Sequence, residues 1–372
     1  MSEKLKKWVN QVIEPTGIVL DGPNPWDPQI KNAKLFDRVK AEGSLGLGEA
    51  YMDGWWECER LDEFFHRLLS INIYERIGLS LPVILGVLKS RLINMQAVRR
   101  AFQVGEKHYD TGNDLFTAML GSTMAYSCGY WKNAATLDEA QEAKLDLICK
   151  KLYLKPGMKI LDIGSGWGSL VRHAAKNYGV SAVGLTVSKE QAKLSAELCS
   201  GLSVEFRLQD YRTLNEKFDR VISVGMFEHV GVKNYRTYME VVKRCLKDDG
   251  LSMLHTIGSL KSGTSTDPWI EKYIFPNGKL PSVKQIATAA EKLFVIEDLH
   301  NFGIYYDKTL MAWHKNFEAA WLELKKNYSE RFYRMWRYYL LCCAGAFRAR
   351  SIQLWQIVLS PRGVPGGYES LR

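Results

Sequence analysis

The residues with chemistry to offer fall in a few short runs, and the clearest is Lys159 to Leu170, KILDIGSGWGSL. An apolar run (Ile160, Leu161, Ile163) surrounds the acid Asp162 and leads into glycines at alternate positions, Gly164, Gly166 and Gly168. That pattern reads as a buried parallel strand turning sharply into a helix, the first crossover of a nucleotide-binding α/β sheet. The glycines let the turn take backbone angles that a Cβ would block, and let a ligand lie against bare backbone. The spacing narrows the ligand. A dinucleotide-binding turn places its third glycine three residues after the second, and that position here is Ser169. It also places an acid about 20 residues further on to hold a ribose, yet the next apolar strand, Ser181 to Leu185, runs into Thr186. Further groups able to take part in catalysis sit where later apolar runs end: Gln209 and Asp210, Gly225 to Glu228, and His255.

These runs belong to a chain in which strands and helices alternate. Strands are predicted near Ser181–Leu185, Val204–Leu208, Phe218–Val224 and Leu251–Ile257, and helices near Leu170–Tyr178, Lys189–Leu198 and Tyr235–Leu246. Such alternation makes a parallel, doubly wound sheet whose ligands lie beyond the carboxyl ends of its strands. A helix with a capping box, Thr136 and Glu139, precedes the glycine-loop strand and carries Leu145, Ile148 and Leu152 as its buried stripe. The irregular, proline-bearing run from Leu260 to Ser282 has the character of a lid. Two aromatic helices, Tyr306–Tyr328 and Glu330–Arg350, and a closing strand, Ser351–Ser360, follow.

The N-terminal part differs. Glycine and tryptophan crowd together in Glu42 to Leu69, which mixes short extended pieces with a final amphipathic helix whose one face holds Leu61, Phe64, Phe65 and Leu68. It reads as a small α+β domain with its own core. From Ile71 to Gln103 apolar residues alternate with Lys89, Arg91, Arg99 and Arg100. That is either a solvated linker helix or a basic segment able to lie on anionic lipid.

A chain of 372 residues with 46% hydrophobic content has room for two domains. Its net charge of +9 points to an anionic partner, nucleic acid or an anionic membrane surface. The N-terminus lacks the apolar core of a signal peptide, and Leu79 to Leu88 is too short, and interrupted by Pro82, to span a membrane. Seven cysteines without a CxxC pair indicate neither a disulfide framework nor a zinc site, so the expectation is a cytoplasmic, reduced protein without a metal.

The acid and glycine loop resembles motif I of S-adenosylmethionine (SAM) methyltransferases. Together with AYSCGYW, GLTVSKEQ, LQDYR, SVGMFEHVGVKNY, LHTIG, DPWIEKYIFPNG, EGSLGLGEAYMDGWWEC and CAGAFRARSIQLWQ, it makes the chain resemble the bacterial cyclopropane-fatty-acyl-phospholipid synthases nearly end to end. The resemblance implies an α/β architecture: a Rossmann-like SAM methyltransferase domain over residues 107–372, a linker at 91–106 and a smaller α+β lipid-binding domain over 1–90. It implies addition of a methylene across a cis double bond of an unsaturated acyl chain in membrane phospholipid. The enzyme would be a homodimer, held peripherally at the inner face of an anionic membrane.

For the donor, the resemblance assigns Tyr126, Ser127, Asp162, Gly164, Gly166 and Gly168 to the methionine end, Thr186 and Gln191 to the ribose, and Gln209 and Asp210 to the adenine. For a bound bicarbonate acting as base it implies Cys128, Glu228, His255, Ile257 and Tyr306. His255 and Tyr306 would donate to the anion, an ionised Glu228 would accept its O–H, and backbone groups at Cys128 and Ile257 would complete the set. Cys343 stands where the family is described with an active-site cysteine, although the reaction needs no covalent enzyme intermediate and the adjacent Cys342 indicates packing. A related enzyme leaving a methyl branch would pass through the same carbocation. A nucleic-acid methyltransferase would carry an Asp-Pro-Pro-Tyr-like or catalytic-cysteine motif after the fourth strand, and MFEHVG (Met226 to Gly231) is neither.

Overall fold

The computed structural model describes residues 3–71, 112–263 and 266–372. Contacts gather the chain into two compact units, one from the described parts of 1–93, 264–276 and 306–352, the other from those of 94–263, 277–305 and 353–372. The units are therefore interleaved along the chain, whereas the expected boundaries cut it into consecutive blocks. The linker at 91–106, and the basic stretch from residue 72 to Gln103, lie outside the described residues.

The second unit is built on a seven-stranded sheet. Its strands are β1 (Lys159–Ile163), β2 (Ser181–Thr186), β3 (Val204–Leu208), β4 (Phe218–Val224), β5 (Leu246–Ser259), β6 (Val295–Asn301) and β7 (Ile352–Ser360). Their spatial order is β3-β2-β1-β4-β5-β7-β6. The pairs β1–β2, β2–β3, β1–β4 and β4–β5 are parallel, and β6–β7 is antiparallel. Strand side chains alternate between two cores. Leu161, Ile163, Val221 and Leu254 join the helices Tyr235–Cys245 and Val283–Ala290 on one face. Ile160, Ile222 and Met253 join the helices Leu137–Lys151 and Ser169–Tyr178 on the other. Each fully buried aliphatic side chain contributes about 1.5–3 kcal/mol, and a strand covered on both faces is what a continuous apolar run such as KILDI demands. The order reverses between β1 and β4, so their carboxyl ends diverge and leave a crevice.

Two strands depart from expectation. β5 begins at Leu246, not Leu251, because Leu246 pairs with Phe218 ahead of an irregularity in the ladder; the intervening KDDG looks like a turn only by residue type. β6 has no apolar run to announce it: Val295–Asn301 (VIEDLHN) is an outer-edge strand whose Val295, Ile296 and Leu299 are exposed, while its Asp298 is buried in ion pairs with Lys151 and Arg372.

In the first unit the helices Leu35–Glu42, Ser44–Met52, Leu61–Ser70 and Glu330–Arg348 dominate, and the extended pieces shrink to a two-residue ladder between Gln29–Ile30 and Trp56–Glu57. The glycine-rich run SLGLGEAYM is helical, and the missing side chain at Gly48 admits a neighbouring ring: a Cβ there would stand 2.4 Å from the indole of Trp269. The expected lid is partly a docked helix, Pro268–Tyr273, capped by Asp267. Its Trp269 is buried, and its Lys272 and Tyr273 bond the Glu49 carboxylate. Those partners hold Glu49 at about 2 against the cost of its burial.

Candidate active site

Beyond the carboxyl ends of the central strands lies a cavity of about 190 Å³. It is formed where the sheet order reverses. Nine of the ten residues expected at the donor line it: Tyr126, Ser127, Asp162, Gly164, Gly166, Thr186, Gln191, Gln209 and Asp210. Gly168 does not. It holds φ +79° at the start of the helix Ser169–Tyr178, and a Cβ there would fall 2.6 Å from the Phe206 ring, so its part is in the turn and its packing. Gly164 has φ +87°, with room for no Cβ beside Met226. Gly166, at φ +55°, has nothing within 4 Å of where its Cβ would stand. This is bare backbone facing the cavity.

Around Thr186, Gln191, Gln209 and Asp210 the polar groups are tied to one another. Thr186 Oγ1 donates to Gln191 Oε1 at 2.9 Å and accepts from Ser188 N at 3.1 Å. Gln209 Nε2 donates to Thr213 Oγ1 at 2.9 Å. Asp210 caps the short helical turn Tyr211–Thr213, and both its oxygens accept from the Arg212 guanidinium, at 2.9 and 2.6 Å. The carboxylate expected to face an adenine amino group is thus already engaged, with its remaining lone pairs available.

At the other side of the cavity the charges are not closed. Asp162 is buried and its Oδ1 has no hydrogen-bond partner among the described residues. Burial pushes its carboxyl up to about 7, with Lys144 pulling the other way. Lys144 is 1% exposed, and burial pulls it down to about 8. Its Nζ donates to Ser127 Oγ at 2.9 Å. The motif reading missed Lys144 because one lysine beside the Leu145 and Ile148 stripe looks like a solvated flank. Its position three residues from Gln141 and seven from Lys151, both also buried, places a polar stripe along one helix face.

The segment after β4 has two sides. Gly225, Met226, His229 and Val230 line the cavity, and burial pulls His229 down to about 4, leaving it neutral. Glu228 between them is not among the lining residues. Its Oε1 accepts from Ile257 N on β5 at 2.7 Å, and its Oε2 has no hydrogen-bond partner among the described residues. Burial pushes the Glu228 carboxyl up to about 7 against the pull of the Ile257 N–H and the Thr256 hydroxyl. The expected plain carboxylate therefore carries a proton in much of the population at neutral pH, and can donate as well as accept. The Ile257 N–H, expected to face an anion, is used to hold Glu228.

His255, two residues earlier on the same strand, is 1% exposed. Its Nδ1 lies 3.2 Å from Gln356 Nε2 of β7, and its Nε2 has no partner among the described residues. With the Gln356 amide donating to Nδ1, the proton of the neutral ring sits on Nε2. Burial holds the ring well below its ordinary pKa, and nearby Lys144, Lys151 and His300 add to that. Gln356 was invisible in an apolar strand. Cys128 is fully buried, its Sγ 3.3 Å from Gly129 O.

Two expected residues belong to the first unit. The Tyr306 ring packs against Phe347, at 4.5 Å between centroids, and Trp313. Cys343 lies in the helix Glu330–Arg348 beside Cys342, whose thiol burial pushes well above its ordinary value.

A sugar and base beside paired polar groups, and a charged tail beside an unclosed Lys–Asp pair over bare glycine backbone, fit a donor such as SAM. The profile of the family described as mycolic acid cyclopropane synthetase matches residues 96–357. The chain is 57% identical over 363 residues to the cyclopropane-fatty-acyl-phospholipid synthase of Escherichia coli K12, spanning 98% of this chain and 95% of that protein. A solved cyclopropane synthase from Mycobacterium tuberculosis superposes with a TM-score of 0.66 at 33% identity, covering 69% of this chain and 97% of that one. A solved mycolic acid cyclopropane synthase complexed with SAH and CTAB gives 0.65 at 33% identity, over 69% and 97%.

Proposed function

The chain belongs to the mycolic acid cyclopropane synthetase family of SAM-dependent methyltransferases, and we propose that it closes cyclopropane rings on membrane phospholipids. The acceptor is the cis double bond of an unsaturated acyl chain, and a bicarbonate ion is the base. The likeness to a phospholipid synthase along 98% of the chain supports this acceptor over a mycolic acid.

SAM, when bound, supplies an electrophilic methyl group on a sulfonium. The glycine turn would lie against its methionine part, with Thr186 and Gln191 near the ribose and Gln209 and Asp210 near the base. Over the whole reaction the methyl carbon ends bonded to both former alkene carbons, and one proton leaves. An alkene is a weak nucleophile, so the protein's work is alignment and exclusion of water.

The observation that carries the bicarbonate reading is the pair of buried, unpartnered atoms, Glu228 Oε2 and His255 Nε2. A buried polar atom left alone costs about 1–3 kcal/mol, a cost that a small oxyanion bearing one O–H would offset by accepting from His255 Nε2–H and exchanging a hydrogen bond with Glu228. Cys128 would close the site from the AYSC segment and Ile257 would hold Glu228; Cys343 takes a packing role. The net charge of +9 supports work at an anionic membrane surface, which the protein would meet from the cytoplasm as a homodimer. Among the described residues no helix is long and apolar enough to cross a membrane.

The test is turnover on liposomes of monounsaturated phospholipid with SAM, with and without bicarbonate, read by mass spectrometry as a CH₂ gain resistant to hydrogenation. Glu228→Gln is expected to lower turnover about 100-fold or more, the size associated with general acid–base groups, with SAH affinity within about twofold of the parent. Undiminished turnover would remove Glu228 from the mechanism.

A further inference from the structure

We propose that Lys144 is the cation that receives the carboxylate of the donor's amino-acid tail, with Ser127 as its hydroxyl partner. The inference rests on the reading of the cavity as a SAM site.

Among the described residues, three cationic or potentially cationic side chains line that cavity: Lys144, Arg212 and His229. Arg212 is committed to Asp210 through a two-pronged ion pair, and His229 is buried and neutral. Lys144 makes no salt bridge among the described residues; its Nζ has one hydrogen-bond partner there, Ser127 Oγ. An ammonium has three N–H donors and no acceptor, so two remain for a ligand.

The same bond fixes the direction of Ser127. Because Lys144 must donate, Ser127 Oγ accepts, and the serine hydroxyl proton is left to point elsewhere. Both residues line the cavity, so an anion there can take an N–H from the lysine and the O–H from the serine. Asp162, with its unpartnered Oδ1, stands close enough to Lys144 for their charges to act on each other, yet forms no ion pair with it. A buried acid and a buried cation that leave each other unsatisfied are complementary to a zwitterion, with α-carboxylate to Lys144 and α-ammonium to Asp162. Burying a lone ammonium is costly without a counter-charge, which is the physical reason to expect one from the ligand.

The test compares two probes by calorimetry on the full chain: SAH, which carries the amino-acid tail, and 5′-methylthioadenosine, which keeps the nucleoside and sulfur but lacks it. Lys144→Met removes the charge at similar volume. The variant should bind SAH about 10–100-fold more weakly, the range of a charge-assisted hydrogen bond, and 5′-methylthioadenosine within about twofold of the parent. Lys144→Arg should recover part of the SAH affinity. Equal losses for both probes would make Lys144 a structural residue only, and no loss for either would take it out of the site; both overturn the proposal. A parent chain that binds neither probe would overturn the cavity reading beneath it.

Discussion

The cavity wall around Thr186 and Asp210 and the buried groups Glu228 and His255, which do not line the cavity, belong to the same unit, yet they spend their polar groups differently. Around Thr186, Gln191, Gln209 and Asp210 every named side chain has a partner within the protein. Around Glu228 and His255 one atom of each has none among the described residues, and burial forces both groups toward their neutral forms. The first arrangement is a preorganised mould, rigid and cheap to maintain. The second holds a desolvation cost in the folded protein, recoverable when a small polar species arrives. Recognition of a large, invariant donor suits the mould, and handling of one proton in a dry place suits the unsatisfied pair Glu228 and His255.

The largest effect that would sharpen this contrast is on stability. Glu228 has a higher pKa folded, about 7, than the ordinary 4.5. The folded chain therefore binds that proton more tightly, and stability falls as pH rises from about 4.5 to about 7, above which the full cost of a buried carboxylate stands. Glu228→Gln lacks that cost and should exceed the parent by about 3 kcal/mol at pH 8, with the gap closing by pH 4.5. Denaturant midpoints across that range measure it, and a gap independent of pH would break the comparison.

Next comes the mould itself. Gly164→Ala puts a side chain at φ +87° and 2.7 Å from Met226, a strain of about 1–3 kcal/mol. SAH affinity should fall about tenfold or more while the Glu228-dependent pH profile of stability keeps its shape; altered pH behaviour would mean that the two regions are not separable. The smallest effect is Thr186→Val, which leaves Ser188 N–H and Gln191 without their hydroxyl partner. A loss of about 1 kcal/mol should appear as a several-fold weaker SAH affinity by calorimetry. An unaltered affinity would show that the mould does not depend on its internal bonds.

Much of this was legible in the chain because it is local. The run KILDI followed by alternate glycines needs only backbone sterics and strand period to announce a strand, a tight turn and a helix, and the strands from Ser181, Val204 and Phe218 fall as their apolar runs indicate. The capping box at Thr136 is a contact between residues three apart. Family likeness supplied the identities of Glu228 and His255, but not their condition. That the Ile257 N–H would hold Glu228, that Gln356 would meet His255 from 101 residues away, and that Lys144 would reach Ser127 are facts of tertiary packing. The same holds for stretches on both sides of residue 300 grouping with the N-terminal helices. Sequence determines which backbone shapes and buried faces are cheap, since those depend on neighbours a few residues apart. Which buried polar atoms find a partner depends on segments far apart in the chain being brought together, and that only the folded structure decides.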